Sequence, residues 1–422
     1  MDCYNDKPAF SLLMDEYRYD LPEDLIAQVP QAVRDASRLL VCLPNGRYEH
    51  RSIREFPDLL AAYLGRAAIV FNNSRVVRAR LRMQKPTGGH AEVLLHEPLI
   101  PSTDPQVVLA ARGQSDWSAM IGGRNIHESM VLTHPSGLLS IRVLHRYGMQ
   151  AHVRILPAEP KPLSEILDNA GSVPLPPYIK RADTGADAER YQTVYAHADG
   201  SVAAPTAGLH FTEDILRRLR DGGNSVLFST LHVGMGTFMP VQADDARNHI
   251  MHTERISLDA ETLQGLASAV AQGMPVVAVG TTSLRTIESV HWLGCMLREG
   301  RVNFTETEPT IPQFIAFDKK LYKYSAADSL AAIQEFMQAN TLDCLHATTA
   351  LMLAPGAPVR LTDGLFTNFH LPSSSLLLLV ADVMGPLWRD AYAEAIRHQY
   401  RFLSYGDAML IVRTQRGDTP TS

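Results

Sequence analysis

Cysteine is scarce in this chain. Cys3, Cys42, Cys295 and Cys344 lie far apart in 422 residues, with no C-x-x-C pair. That argues against a disulfide scaffold or a cysteine-based zinc site and points to reduced thiols in the cytoplasm. Long apolar runs are missing too. The longest, Leu376–Val380, is soon followed by Asp382 and is far too short to cross a membrane, so no membrane partner is expected. The first residues include Asp2 and Asp6 and carry no apolar h-region, so no secretory signal is expected. A basic excess is also lacking. The net charge of −6 speaks against a broadly basic nucleic-acid binder. No G-x-S-x-G elbow is present, which argues against serine-hydrolase chemistry.

What is present has a clear order. The first seventy residues mix strand and helix: a short apolar strand at Leu39–Cys42, a helix over IREFPDLLAAYLG capped by Ser52, and a strand at Ala67–Phe71. From Val76 to about Ile155 come short alternating runs (VVRARLRMQ, AEVLLHEPL, QVVLAAR, DWSAMIG, SMVLTH, LSIRVLHRY, AHVRILP), which read as strands of a small barrel or sandwich. Beyond the proline-rich AEPKP the pattern alternates helix and strand. SVLFSTLHVG, PVVAVG and ALMLAP read as strands; AETLQGLASAVAQG, SLRTIESVHWLG, AADSLAAIQEFMQAN, SLLLLVADVMG and AYAEAIRHQY read as helices. The expected architecture is therefore a mixed α/β main domain, residues 1–72 and 160–422, with an inserted small all-β barrel-like domain, residues 73–159.

Four polar loops carry chemistry. YQTVYAHADGSVAAPTAGLH, Tyr191–His210, runs into a helix with Thr212 as N-cap and Gly222 beyond its far end. Such a loop presents unpaired amides, hydroxyls and an imidazole to a small polar ligand. LHVGMGTFMPV sets Gly234 and Gly236 after a strand bearing His232; without the third glycine of a dinucleotide fingerprint, a tight turn with a hydrogen-bonded histidine stays the plainer reading. VVAVGTTSLRTIES places Thr281 and Thr282 between a buried strand and a helix, where α/β sheets bind ligands. There Arg285 and Glu288 stand three apart, the spacing of a helical ion pair. DGLFTNFHLPSSS offers Asn368 and His370. HIMHTE holds His249, His252 and Glu254 but no H-E-x-x-H pattern, so no metal is expected and hydrogen bonding to a polar substrate is the better reading.

Between Arg66 and Ala91 there are six basic residues and no acidic one. In a strand, Arg78, Arg80 and Arg82 would share a face able to follow a phosphate backbone. Guanidiniums paired with acids elsewhere in the fold would give the same pattern.

These stretches resemble the S-adenosylmethionine:tRNA ribosyltransferase-isomerases of queuosine biosynthesis, the QueA family. The resemblance rests on YDLPEDLIAQVP, RDASRLLV, VFNNSRVVRARL, TGGHAEVLL, PLPPYIKR, the Tyr191–His210 loop, LHVGMGTFMPV, HTERISL, AVGTTSLRTIES, DGLFTNFHLPSSSLLLLV and YRFLSYGDAMLI, in family order from about residue 18 to 412. It implies an α/β domain with an inserted β-barrel. It also implies S-adenosylmethionine as co-substrate, and as partner a tRNA carrying 7-aminomethyl-7-deazaguanine in its anticodon loop. The ribosyl part of the co-substrate would be transferred and isomerised to give epoxyqueuosine, with adenine and methionine released. On matched positions, His210, His232 and Glu254 become catalytic candidates. Thr206, Gly208, Gly234, Gly236, Thr281, Thr282, Arg285, Asn368, His370 and Asp407 become co-substrate contacts, and Arg75, Arg78, Arg80, Lys180 and Arg181 tRNA contacts. A cytoplasmic monomer or small homo-oligomer is expected.

The chain departs from the family pattern at Asn73-Ser74, where the family usually has Asp-Thr, and at Ala357, where it has an aromatic. Trp117–Arg124 carries fewer lysines than usual, and a stretch between Gly294 and about Leu345 is absent from compact members. A paralogue with another acceptor, or a non-catalytic tRNA- or adenosyl-binding protein, stays open on these grounds.

Overall fold

The structure is a computed structural model. It describes residues 7–8, 10–234, 241, 243–302 and 308–413. In chain order the elements are β1 (Arg38–Cys42), β2 (Tyr48–Ser52), α1 (Phe56–Tyr63), β3 (Ala68–Asn72), β4 (Ser74–Val76), β5 (Arg80–Gln84), β6 (His90–Ile100), α2 (Pro105–Ala110), β7 (Ser115–Gly122), β8 (Val131–Thr133), β9 (Leu139–Tyr147), β10 (Gln150–Pro157), α3 (Leu163–Ala170), α4 (Asp187–Arg190) and β11 (Ala198–Ser201). Then follow α5 (Glu213–Asp221), β12 (Ser225–Leu231), β13 (Glu254–Asp259), α6 (Ala260–Ala271), β14 (Val276–Val279), α7 (Thr281–Arg298), β15 (Thr310–Ile311), α8 (Ala326–Ala339), β16 (Cys344–Thr349), β17 (Gly364–Asn368), α9 (Ser375–Met384), α10 (Trp388–Arg397) and β18 (Ala408–Val412).

The contacts divide the chain into two units. The first holds the described residues up to Asn73, Pro205–Leu231 and those from 241 onward. Its core is a mixed ten-stranded sheet in the order β15-β16-β13-β12-β3-β14-β17-β18-β1-β2. The central strands β3, β14, β17 and β18 are buried along their whole length. Near-continuous apolar runs (AIVFN, VVAV, AMLIV) are what a sheet covered on both faces requires. β3 runs parallel to β12 and β14, and β14 parallel to β17. Their carboxyl ends therefore gather at one edge, where Asn72, Gly280 and Asn368 sit.

The second unit comprises Ser74–Ala204 and His232–Gly234 among the described residues. Strands β10-β7-β6-β5-β8-β9 close into a barrel. Alternation sets the two faces: Leu81 and Met83 of β5 fill the barrel core, while Arg80 and Arg82 stand on the other face. This is the α/β fold with an all-β barrel that the alternating runs imply.

Two local readings are corrected. QVVLAAR is not a strand. Asp104 accepts a hydrogen bond from the Gln106 amide at 2.8 Å and Pro105 opens the first turn, so PQVVLA folds as helix α2. ALMLAP is not a strand either. The strand there is CLHATT (β16), and Ala350–Ala354 continue as buried irregular chain. Their amides find partners across the fold: Ala350 N donates to Ile311 O at 3.0 Å and Met352 N to Gln313 O at 2.9 Å. HIMHTE forms no helix. His249 and His252 lie in irregular chain before β13, which begins at Glu254.

Candidate functional site

The site grows from the turn between β14 and α7. Gly280 is held at φ +89°, where an L side chain would be strained, and this bend aims the N-terminus of α7 at the sheet edge. A Cβ on Gly280 would sit 3.5 Å from Ala207 Cβ, so the turn lies directly against the Thr206–His210 segment. No side chain caps α7. The Thr282 hydroxyl is buried without a hydrogen-bond partner among the described residues. Three residues on from Thr282, Arg285 pairs with Glu254 through Nη1 and donates to the Leu351 carbonyl through Nε at 3.2 Å, while its buried Nη2 has no partner. Such orphaned donors are costly inside a fold, and their natural complement is an anionic or acceptor-rich ligand.

Arg285 and Glu254 line the polar side of a narrow cleft of about 30 Å³. His249, His252 and Ser375 line it beside an apolar wall of Leu351, Met352, Leu353, Leu376 and Leu379. The His249 segment is held from outside: Gln313 Nε2 donates to the His249 carbonyl at 2.7 Å, and the Met251 amide donates to Gln313 Oε1 at 3.2 Å. Burial and the neighbouring His252 push the His249 imidazole below its ordinary value. Gln313 comes from the segment between α7 and α8. The sequence points to Glu254 and Arg285 and gives HIMHTE only a general reading of hydrogen bonding to a polar substrate, while Gln313 and the apolar wall carry no signal there. HIMHTE was the one signal for the histidines.

A second group of expected residues clusters at the end of β17. Thr206 donates its hydroxyl to Asn368 Oδ1 at 3.1 Å, and Asn368 Nδ2 lies 3.2 Å from His210 Nε2 and from the Asp407 carbonyl. His210 is buried, and its ring also hydrogen-bonds the Arg34 backbone. Burial pushes its pKa down to about 4, so it is neutral at physiological pH. His370 bonds the Thr367 hydroxyl at 2.9 Å, and burial pushes it down to about 3. Gly208 is buried in the turn between Thr206 and His210. Asp407 is buried and engaged: it accepts from the Arg38 backbone at 2.9 Å, from the Arg38 guanidinium and from the Arg401 amide at 2.8 Å. The structure thus brings Thr206, Gly208, His210, Asn368 and Asp407 together, and joins Thr206 to Thr281 and Thr282 through Gly280. In these contacts His210, His370 and Asp407 are satisfied core groups.

The remaining expected residues belong to the second unit, except Gly236, which lies outside the described residues. His232 follows β12 and packs on Gly200, where a Cβ would come within 3.0 Å of the ring. Gly234 closes the described part of that loop. Only Arg80 and Arg82 of the arginine row lie on β5; Arg78 precedes it. Arg75 pairs with Asp199 at 3.2 Å, Arg80 with Glu92 at 2.9 Å and Arg82 with Asp183 at 3.0 Å. Arg78 donates to the Asp168 carbonyl at 2.6 Å. Arg181 grips the buried Asp187 with two bonds of 2.7 Å, and Lys180 is exposed.

Comparison with known proteins agrees with this picture. A family model described as queuosine biosynthesis protein matches residues 14–411. An S-adenosylmethionine:tRNA ribosyltransferase-isomerase from Anaeromyxobacter sp. (strain Fw109-5) is 41% identical over 95% of this chain and 99% of its own. The protein of the same name from Azoarcus sp. (strain BH72) is 37% identical over 96% and 98%. A solved structure, S-adenosylmethionine tRNA ribosyltransferase from Thermotoga maritima, is 26% identical, covering 94% of this chain and 100% of that one, with a TM-score of 0.45. With nearly its whole described length matched and these relatives aligned end to end, the chain belongs to the queuosine biosynthesis protein family.

Proposed function

We propose that this enzyme transfers and isomerises the ribosyl part of S-adenosylmethionine onto 7-aminomethyl-7-deazaguanine in a tRNA anticodon, giving epoxyqueuosine and releasing adenine and methionine. It works in the cytoplasm, as a monomer or small homo-oligomer. One observation carries the assignment of the site: among the described residues, Arg285 brings a buried Nη2 without a partner to a cleft with an apolar wall, and Thr282, in the same uncapped first turn of α7, buries a hydroxyl without a partner. That donor set fits the carboxylate of a zwitterionic co-substrate. The apolar wall of Leu351–Leu353, Leu376 and Leu379 fits the uncharged body of the molecule and keeps water from it. S-adenosylmethionine supplies the leaving groups through its sulfonium and its N-glycosidic bond.

The chain's own residues hold and move protons. Glu254, oriented by Arg285, accepts from ribose hydroxyls. His249 and His252, on irregular chain at the cleft wall, reach reacting protons more readily than His210, whose ring nitrogens are both engaged. His210, His370 and Asn368 then act through the shape of the turn that carries Thr206 and Gly208. His232 is kept as a proposed catalytic residue and Gly234 as a proposed co-substrate residue.

Arg75, Arg78, Arg80, Lys180 and Arg181 are the proposed tRNA contacts. Exposed ion pairs such as Arg75–Asp199 are worth at most about 1 kcal/mol, so a phosphate can replace the carboxylate. If so, tRNA affinity falls with salt at a log–log slope of roughly −0.7 to −0.9 per phosphate contact. A salt-independent affinity refutes this assignment.

Adenine release tests the function. The account expects release from S-adenosylmethionine only when tRNA bearing the aminomethyl base is present. Release without tRNA would favour a different acceptor, and no release under any condition would favour a binding protein.

A further inference from the structure

On the far edge of the ten-stranded sheet, His50 of β2 faces Glu394 of α10 and His398, which caps that helix's carboxyl end. The geometry points to a binding site for a divalent metal ion of the zinc class at this cluster, held by His50 Nε2, Glu394 Oε1 and His398 Nε2, with water completing the sphere. The three donor atoms lie within 4.8 Å of one another. Glu394 Oε1 is 3.1 Å from His50 Nε2 and 3.0 Å from His398 Nε2. Ligands bound at about 2.0–2.2 Å and roughly 90–110° apart are themselves about 2.8–3.5 Å apart, so these two separations already suit a common ion. Glu394 and His398 are one helical turn apart, which puts both on one face of α10.

The outer contacts are those of a built site. His50 Nδ1 lies 2.9 Å from the Tyr400 hydroxyl. A proton on Nδ1, donated to Tyr400, leaves Nε2 bare toward the ion. Arg397 holds the other carboxylate oxygen at 2.6 Å, leaving Oε1 as the single coordinating atom. The imidazoles are 38% and 47% exposed, so an ion can enter. Two imidazoles and a carboxylate suit zinc and its transition-metal neighbours over magnesium or calcium. The ion would tie α10 to the sheet edge, away from the Arg285 cleft.

The test is zinc chloride titrated calorimetrically into the chelator-treated full chain, with thermal melts in parallel. The expected result is one saturable site whose affinity falls about tenfold or more in His50→Gln and His398→Gln but not in His252→Ala, with zinc raising the melting temperature of the parent and not of His398→Gln. His398 is exposed at the end of its helix, so its variant keeps the test valid if the His50 variant misfolds. Absence of a saturable site, or undiminished affinity in His398→Gln, overturns the proposal and leaves the three side chains as a hydrogen-bonded cluster.

Discussion

Arg285 and Glu288 sit three residues apart on α7, the spacing of a helical ion pair, yet the fold turns them to different tasks. Glu288 is fully buried and accepts the Arg360, Leu361 and Thr362 amides at 2.8, 2.9 and 3.1 Å, so it organises the chain leading into β17. Arg285 pairs instead with Glu254, which is distant in sequence. Spacing identified both residues as important and could not identify either partner, because long-range pairing is set by the sheet order. The histidines teach the same lesson. His210 and His370 are buried and neutral, with pKa values near 4 and 3 against about 6.5 in an unfolded chain. Between those values the unfolded chain binds more protons, so their contribution to stability is present above about pH 6.5 and is lost as pH falls toward 4. At 1.36 kcal/mol per unit these shifts correspond to about 3 kcal/mol for His210 and about 5 kcal/mol for His370, the latter fully lost only as pH falls toward 3. Urea unfolding at pH 7 and pH 4.5 should show a smaller loss for His370→Gln than for the parent. An equal loss would mean that His370 is already charged in the fold.

Among the elements, those with plain end signals were legible. Thr212 caps α5 and Gly222 ends it, Ser325 caps α8 with a capping box, and Ser374 caps α9. Errors fell where a short apolar run could be either helix or strand. PQVVLA is decided by the Asp104–Pro105 start, and ALMLAP by backbone bonds to residues 311–313 that no local pattern announces. Helix α8 was legible as a helix from its sequence, but its place in the fold was not. It lies against α7 at Gly294, where a Cβ would be 2.1 Å from the Ser329 carbonyl oxygen. His291 joins the contact through its 2.8 Å bond to the Ser329 hydroxyl. Gly294→Ala therefore sets two effects against each other. Better helix propensity gains about 1 kcal/mol, and forcing α8 outward costs about 1–3 kcal/mol and breaks the close approach. The expected sum is destabilisation, read as a lower urea midpoint. A stabilised variant would show that the helices part freely.

At the scale of the molecule, the α/β sheet unit and the barrel unit were both visible in the changing rhythm of the sequence. The sheet order was not, and it decides the site. Parallel strands β3, β14 and β17 bring Asn72, Gly280 and Asn368 to one edge, so residues separated by hundreds of positions share a wall. The arginine row shows the complementary case. Its charge was legible at once, while Asp199, Glu92 and Asp183, which answer it, come from other elements. The central claim is that the N-terminus of α7 keeps unpartnered donors for S-adenosylmethionine. Thr282→Val tests it most directly, because the substitution removes a buried hydroxyl that has no partner in the fold and keeps the shape. Calorimetric binding of S-adenosylmethionine to parent and variant is the measurement. The account predicts roughly tenfold weaker binding, the worth of a hydrogen bond to a charged group, with a melting temperature equal to or above that of the parent. Unchanged affinity, with the fold intact, would contradict it.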